Sequence, residues 1–489
     1  MPIRFCHAAA PLVLFVASTA FALGGVCAGA TPQPNIVVIV TDDQGYADIS
    51  FNPHHPEEVS TPHMDALARE GVFFTQAYLS GNVCSPTRAG LMLGRYQQRV
   101  GVYTAGDGGR GFDPTIPIFP ALLPEHYVSM AVGKWHLGLD EDYPQLKWHA
   151  LNRGFDECYK FMGRGAHDYF DLKIPDHPIY RGLNRIEDEG YLTTRLTEET
   201  VAFIDRHQDR PFFLYLAYNA VHSPKQAPPE DVARYRKQFP GLTEGRAILM
   251  AMLHHLDLGV GAVARKLKDE GIWDNTLLFF FTDNGGAKAM EANNAPLRGF
   301  KGSCWEGGIR TPLVVSWPAK IRGGRTITTP VISLDVLPTV LDAIGAPGPT
   351  DGPLDGKSLL PLLRGETTTH HRHLFWSEGG PGGEWAVHSS NWKLIAIRDQ
   401  VELYDLQADE AETTNLAAKH PDKVAELTGL YDAWLDQMAE PLSGKGKRWA
   451  PPEQTPPTNR EKERLRKRME RKKRHEAEDR AQSTTPARP

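Results

Sequence analysis

The stretch Asn35-Ile36-Val37-Val38-Ile39-Val40-Thr41-Asp42-Asp43 decides the fold. Its apolar part is β-branched and lacks alternation, the pattern of a strand buried on both faces. Three further runs share that pattern: Tyr127–Val132, Phe212–Ala217 and Leu277–Phe281. Between them lie stretches with helical spacing. Thr61–Gly71 opens with Thr and Pro and stops at Gly, and Leu192–Arg206 and Ala247–Glu270 repeat apolar residues every third or fourth position. Strands alternating with helices predict an α/β fold, a large and mostly parallel mixed sheet sandwiched by helices.

Each apolar run is followed by polar groups. These are Thr41-Asp42-Asp43, Gly133-Lys134-Trp135-His136, Asn219-Ala220-Val221-His222 and Thr282-Asp283-Asn284-Gly285-Gly286. Open parallel sheets bind ligands at the carboxyl ends of their strands, so these groups are expected to share one site. Alone, Asp42-Asp43 reads equally well as a turn or helix cap, and a single Lys or His in a loop is usually solvated. Recurrence at four strand ends favours the site. Adjacent carboxylates repel, and a cation is a reason for them to sit together.

The run Cys84-Ser85-Pro86-Thr87-Arg88 adds a nucleophile candidate. Pro86 suits the first position of a helix through Ala89–Leu93 that stops at Gly94, which places Cys84 just before a helix N-terminus. Free amides there favour an anion, and Arg88 adds a fixed charge within one turn. A lone Cys is more often a buried structural thiol. The Cys-x-Pro-Thr-Arg run, ending in Gly94-Arg95, is what argues otherwise.

With these residues in view, the chain resembles the type I sulfatases of the alkaline-phosphatase superfamily, and is most similar to their arylsulfatase and N-acetylgalactosamine-6-sulfatase branch. The resemblance rests on Cys84 through Arg95, on the four strand ends, and on His222-Ser223-Pro224. It continues through Lys301-Gly302, Glu306-Gly307-Gly308-Ile309-Arg310-Thr311-Pro312, Asp335-Val336-Leu337-Pro338-Thr339, Leu403-Tyr404-Asp405-Leu406 and Asn415-Leu416, in order over about residues 34–420. Thr87 departs mildly from the serine often found there and keeps the hydroxyl.

The resemblance implies an enzyme that hydrolyses sulfuric esters, with an alkaline-phosphatase-like fold. It implies that Cys84 is converted to formylglycine by a maturation enzyme. It further implies a calcium ion held by Asp42, Asp43, Asp283, Asn284 and residue 84. The aldehyde hydrate of residue 84 would attack sulfur, with its pKa lowered by the metal. Arg88 would hold the hydrate, Lys134 and Lys301 would clamp sulfate oxygens, and His222 would protonate the leaving alcohol. His136 would pair with the second hydroxyl of the hydrate, whose deprotonation expels sulfate and restores the aldehyde. The donor types agree independently: Asp42, Asp43, Asp283 and Asn284 offer only hard oxygens, which suit calcium better than zinc. Glu306 and Arg310 are expected to hold the Lys301 loop, and Trp135 to pack.

Composition bounds the remainder. The chain has 489 residues, 41% of them hydrophobic, which supports one large domain and a smaller one. The formal net charge of -6 argues against general nucleic-acid binding. Residues 1–30 read as a signal peptide, with Arg4, an apolar Ala8–Val26 and an Ala28-Gly29-Ala30 cleavage site. Pro11, Ser18, Thr19 and a glycine pair interrupt the run and disfavour a membrane anchor. No later segment reads as long and apolar enough to span a membrane, and a secreted or periplasmic location is expected. The mature chain keeps Cys84, Cys158 and Cys304, too few for a disulfide-stapled fold; Cys158 and Cys304 read as free or buried thiols, with a disulfide open.

The catalytic domain is expected over 31–365 and a smaller C-terminal α+β subdomain with an antiparallel sheet over 366–445. A basic tail over 446–489 reads as a helical or disordered extension, with anionic-polymer binding as the alternative. An exported sulfatase most often meets sulfated carbohydrate, the expected substrate. Loops Thr104–Asp113, Gly163–Asp171 and Trp376–His388, carrying His167, Tyr169, Trp385 and His388, are candidates for sugar contact or for surface filler. Two rival functions stand: a phosphodiesterase or phosphonate monoester hydrolase of the same superfamily, and a non-catalytic carbohydrate-binding protein with Cys84 unmodified.

Overall fold

The computed structural model describes residues 33–443, apart from 142–144, 163–164, 176, 381 and 398–399. The expected leader (1–30) and basic tail (446–489) lie outside the described residues. The main sheet contains β1 (Asn35–Thr41), β2 (Val72–Tyr78), β3 (Val128–Lys134), β4 (Glu157–Phe161), β5 (Ile179–Arg181), β6 (Asn184–Ile186), β7 (Phe212–Ala217), β8 (Thr276–Thr282), β9 (Arg310–Ser316), β10 (Arg325–Ile327) and β11 (Val331–Ile332). Among the described residues these eleven strands run β10-β2-β9-β8-β1-β7-β3-β4-β5-β6, with β11 also on β2. The centre is parallel: β8, β1, β7, β3 and β4 pair in one direction. Antiparallel β9 and the β5–β6 ribbon make the sheet mixed.

All seven residues of β1 are buried, as the absence of alternation predicts. Alternation still assigns each residue to a layer. Ile36, Val38 and Val40 face the helices Cys84–Leu93, Val336–Ile344 and Leu360–Arg364. Val37 and Ile39 face Pro62–Glu70, Leu192–His207 and Glu244–Asp269. Each such fully buried side chain contributes about 1.5–3 kcal/mol. Register then places the site, because Thr41 pairs with Thr282 and so brings Asp42 and Asp283 side by side, one residue beyond the sheet.

Helix Glu244–Asp269 corrects one expectation. By length and composition it is apolar enough to cross a membrane, but 67% of its most apolar window is buried inside the protein, as a core helix. It packs on Leu192–His207 and covers the sheet.

A second sheet follows, with β12 (His373–Ser377), β13 (Trp385–Ser389), β14 (Trp392–Ile397) and β15 (Gln400–Asp405) in antiparallel order. Helix Pro421–Leu435 packs on β13 and β14. Its core contains Trp376, Leu394, Leu403 and Tyr431 and merges with Tyr78, Tyr96 and Tyr103 from the larger part.

Candidate active site

The helix that carries the nucleophile candidate begins earlier than its proline suggested. It spans Cys84–Leu93 with Val83 as N-cap, so Cys84 is its first residue and Pro86 its third. No side chain caps this end. A helix start of this kind favours an anion beside it. Gly94 ends the helix in the left-handed conformation at φ 61°.

One turn along, Arg88 is fully buried and ties three strand ends together. Its Nε donates to Asp283 Oδ2 at 2.9 Å, and its Nη2 lies 2.6 Å from the same oxygen and 3.5 Å from Asp42 Oδ2. Its Nη1 donates to the Lys134 carbonyl at 3.2 Å and to the Tyr215 hydroxyl at 3.3 Å. Although burial works against its charge, the Asp283 carboxylate holds the guanidinium above its ordinary pKa, so it stays a cation. Lys134, the last residue of β3, pairs with the same Asp42 oxygen. Across the site, Lys301 Nζ donates to Asp43 Oδ1 at 2.6 Å and Asn284 Nδ2 donates to it at 2.7 Å. His222 Nε2 lies 3.7 Å from Asp43 Oδ2, while Nδ1 meets the Ser223 carbonyl at 2.8 Å.

The structure thus brings together Asp42, Asp43, Cys84, Arg88, Lys134, His222, Asp283, Asn284 and Lys301. His136 lies beside them: it is buried, and Ser85 Oγ donates to its carbonyl at 2.6 Å. Burial, then the charges of Lys134, Arg88 and Lys301, push its imidazole well below the usual range, so the ring is neutral. Burial raises the Cys84 thiol against the pull of Lys134 and Lys301. Asp43 and His136 both take positive φ, 61° and 54°, a conformation non-glycine residues rarely adopt outside constrained sites.

The donor set fits a hard cation. Asp42 Oδ1, Asp283 Oδ1 and Asn284 Oδ1 are all buried and have no hydrogen-bond partner. Buried polar atoms are normally satisfied, so three unpartnered oxygens at adjoining strand ends form a cradle of the kind that suits a hard cation. One oxygen each of Asp42 and Asp283 lies within 4.8 Å of the Cys84 sulfur and of the other. The three carboxylates and the three basic side chains Arg88, Lys134 and Lys301 balance. A divalent ion held there would give the site an excess of positive charge that suits an anionic ester.

Two positioning residues carried little signal in the sequence. The Tyr215 hydroxyl, inside the apolar β7 run, meets Arg88. The Tyr169 hydroxyl donates to the carbonyls of Asn219 and His222 at 2.8 and 2.9 Å, bracing the His222 loop. Three of the four sugar-contact candidates are corrected. Tyr169, His167 and His388 are buried and turned inward, and Trp385 stacks on Tyr431 with ring centroids 4.1 Å apart. Cys158 and Cys304 are both buried, and among the described residues neither is joined in a disulfide.

Comparison with known proteins agrees with this geometry. The sulfatase family profile matches residues 34–346, and the profile for the C-terminal part of N-sulphoglucosamine sulphohydrolase matches 300–438. Mouse (Mus musculus) N-acetylgalactosamine-6-sulfatase is 33% identical over 422 residues, covering 79% of this chain and 77% of that protein. The Escherichia coli (strain K12) sulfatase YdeN is 30% identical over 496 residues, covering 84% and 87%. The crystal structure of Ps i-CgsB in complex with k-i-k-neocarrahexaose superposes with a TM-score of 0.77 at 32% identity, covering 84% of this chain and 94% of that one. The phosphonate monoester hydrolase of Agrobacterium radiobacter, at 21% identity and a TM-score of 0.62, shares the fold. The chain belongs to the sulfatase family and is an enzyme of sulfatase type. Its large sheet and C-terminal antiparallel sheet are those of the alkaline-phosphatase-like sulfatases.

Proposed function

We propose that this enzyme removes sulfate from a sulfated carbohydrate, using residue 84 as nucleophile after oxidation of Cys84 to formylglycine and a calcium ion held at Asp42, Asp43, Asp283 and Asn284. The observation that carries this reading is the group of unpartnered buried oxygens beside the Cys84 sulfur at an uncapped helix start. The carbohydrate class is supported by the mouse relative, an N-acetylgalactosamine-6-sulfatase, and by the sugar-bound Ps i-CgsB structure. The apolar leader supports export to the periplasm or beyond, and maturation requires a formylglycine-generating partner.

Calcium would neutralise charge at the ester oxygens and lower the pKa of the attacking hydroxyl. Formylglycine would provide that hydroxyl as an aldehyde hydrate. The chain's own residues do the rest. Arg88 fixes Asp42 and Asp283 in place. Lys134 at Asp42 and Lys301 at Asp43 are placed to grip sulfate oxygens. With Nδ1 turned to the Ser223 carbonyl, His222 presents Nε2 to the site, the atom that hands a proton to the leaving oxygen. The neutral His136 ring accepts a proton from residue 84.

Mass spectrometry of the tryptic peptide containing residue 84, from protein made in its native host, should show aldehyde. Thiol alone would favour a carbohydrate-binding role. Aryl sulfate and aryl phosphodiester assayed side by side discriminate the phosphonate-hydrolase alternative, and sulfate turnover is expected to dominate.

A further inference from the structure

Lys393 lies in β14 of the C-terminal sheet, and its side chain is 0% exposed. Lysine is rarely enclosed unless paired. Its Nζ is 2.8 Å from Glu306 Oε1 and 2.8 Å from Glu412 Oε1. The other Glu306 oxygen accepts from the Tyr78 hydroxyl at 3.0 Å and from Arg310 at 3.4 Å. Glu412 Oε2 in turn accepts from the Glu306 backbone amide at 2.7 Å. Burial, with Glu306 adding, pushes the Glu412 carboxyl up to about 7. Burial also works against ionisation of Glu306, but Lys393 and Arg310 outweigh it and hold its carboxyl below the ordinary range. Glu306 is therefore the anion that Lys393 grips.

Glu306 opens the short helix Glu306–Ile309, and that helix touches the catalytic loops through bare backbone. The Gly285 amide donates to the Gly308 carbonyl at 3.0 Å. A Cβ placed on Gly285 would sit 1.9 Å from the Gly307 carbonyl oxygen, so only glycine allows this approach. The Lys301 amide donates to the Gly286 carbonyl at 3.2 Å, and the Gly307 amide to the Arg298 carbonyl at 2.7 Å. A short, stiff path thus runs from Lys393 through Glu306 to Asn284 on one side and Lys301 on the other.

A buried ionic cluster is an inefficient source of stability, because desolvation offsets most of the attraction and apolar residues would serve as well. What such a network supplies, when every member is satisfied, is one fixed geometry. We propose that Lys393 is a positioning residue for the reaction: acting through Glu306, it sets the loops that carry Lys301 and Asn284. This rests on the reading above, in which Lys301 grips sulfate and Asn284 holds calcium.

The test uses full-length matured enzyme and the variants Lys393→Met, Lys393→Arg and Glu306→Gln. Folding is followed by circular dichroism, turnover with an aryl sulfate, and inorganic sulfate binding by calorimetry on calcium-loaded protein. Folded Lys393→Met should lose about 100-fold in kcat/KM, the scale of a misplaced catalytic group. Its sulfate affinity should weaken in parallel, and Lys393→Arg should recover most of both. A merely structural lysine would lower the melting temperature and leave kcat/KM and sulfate affinity per folded molecule unchanged; that result overturns the proposal. Should Lys393→Met fail to fold, Glu306→Gln, which keeps the side-chain shape and removes the anion that Lys393 grips, decides. Weakened sulfate binding by that variant supports the proposal, and wild-type binding overturns it. A wild-type enzyme that binds sulfate without turning over aryl sulfate counts against the functional reading alone, since the binding comparison still tests the role of Lys393.

Discussion

Arg88 and Asp283 form a fully enclosed ion pair, Nη2 to Oδ2 at 2.6 Å, in which the second Asp283 oxygen is left without a partner. One carboxylate is therefore placed to serve two cations, the fixed guanidinium and the proposed calcium ion. Asp283→Asn should weaken both. Removing one charge of a buried pair costs about 3–5 kcal/mol. Urea denaturation should show that loss in metal-free protein, and calcium titration should show weaker binding. A variant as stable as the parent, with parental calcium affinity, would contradict the assignment.

Calcium itself should stabilise the fold. A ligand at 100 times its Kd adds about 2.7 kcal/mol to unfolding. The melting temperature should rise with added calcium, fall with chelator, and respond much less in Asn284→Ala, whose cradle lacks one unpartnered oxygen. Equal responses in both proteins would move the ion elsewhere.

Glu378 predicts a pH effect on stability away from the reaction. Burial raises its carboxyl from 4.5 to about 7, with Glu384 adding and a hydrogen bond from Asn82 opposing. Its folded pKa lies above its unfolded one, so the folded state binds the extra proton. That contribution is complete below about pH 4.5 and is lost as pH rises through 7, on the order of 2–3 kcal/mol. Denaturation at pH 5 and pH 8 should show it, and Glu378→Gln should flatten the difference. An unchanged difference in the variant would assign the effect to another group.

Trp385 separates packing from recognition. Stacked on Tyr431 with an interplanar angle of 8°, it is committed to the C-terminal core. Trp385→Ala should cost about 3 kcal/mol, the scale of an aromatic truncation. KM for sulfated saccharides should stay within twofold for folded protein. A large rise in KM without loss of stability would restore a sugar-binding role.

The sequence displayed the centre of this protein well and its periphery poorly. The four apolar runs became adjacent parallel strands because a strand buried on both faces admits little else. The groups after them converged because parallel strands end on one edge. The start of the Cys84 helix was misread for a plain reason. The first-turn amides of a helix have no intrahelical partner, so proline fits the third position as well as the first. Tyr169, His167 and His388 looked like loop residues free to meet sugar, yet composition alone does not distinguish an inward aromatic from an outward one. Lys393 gave no sign at all, since a lone lysine in a strand ordinarily points to water.

The backbone contact between Gly285 and Gly307 has a practical side. Two loops joined without intervening side chains cannot be retuned one at a time, and any substituent there would spread both. Engineering of new specificity is therefore confined to the outer rim, and the reaction centre would have to be transplanted as a single block, together with the C-terminal sheet that braces it.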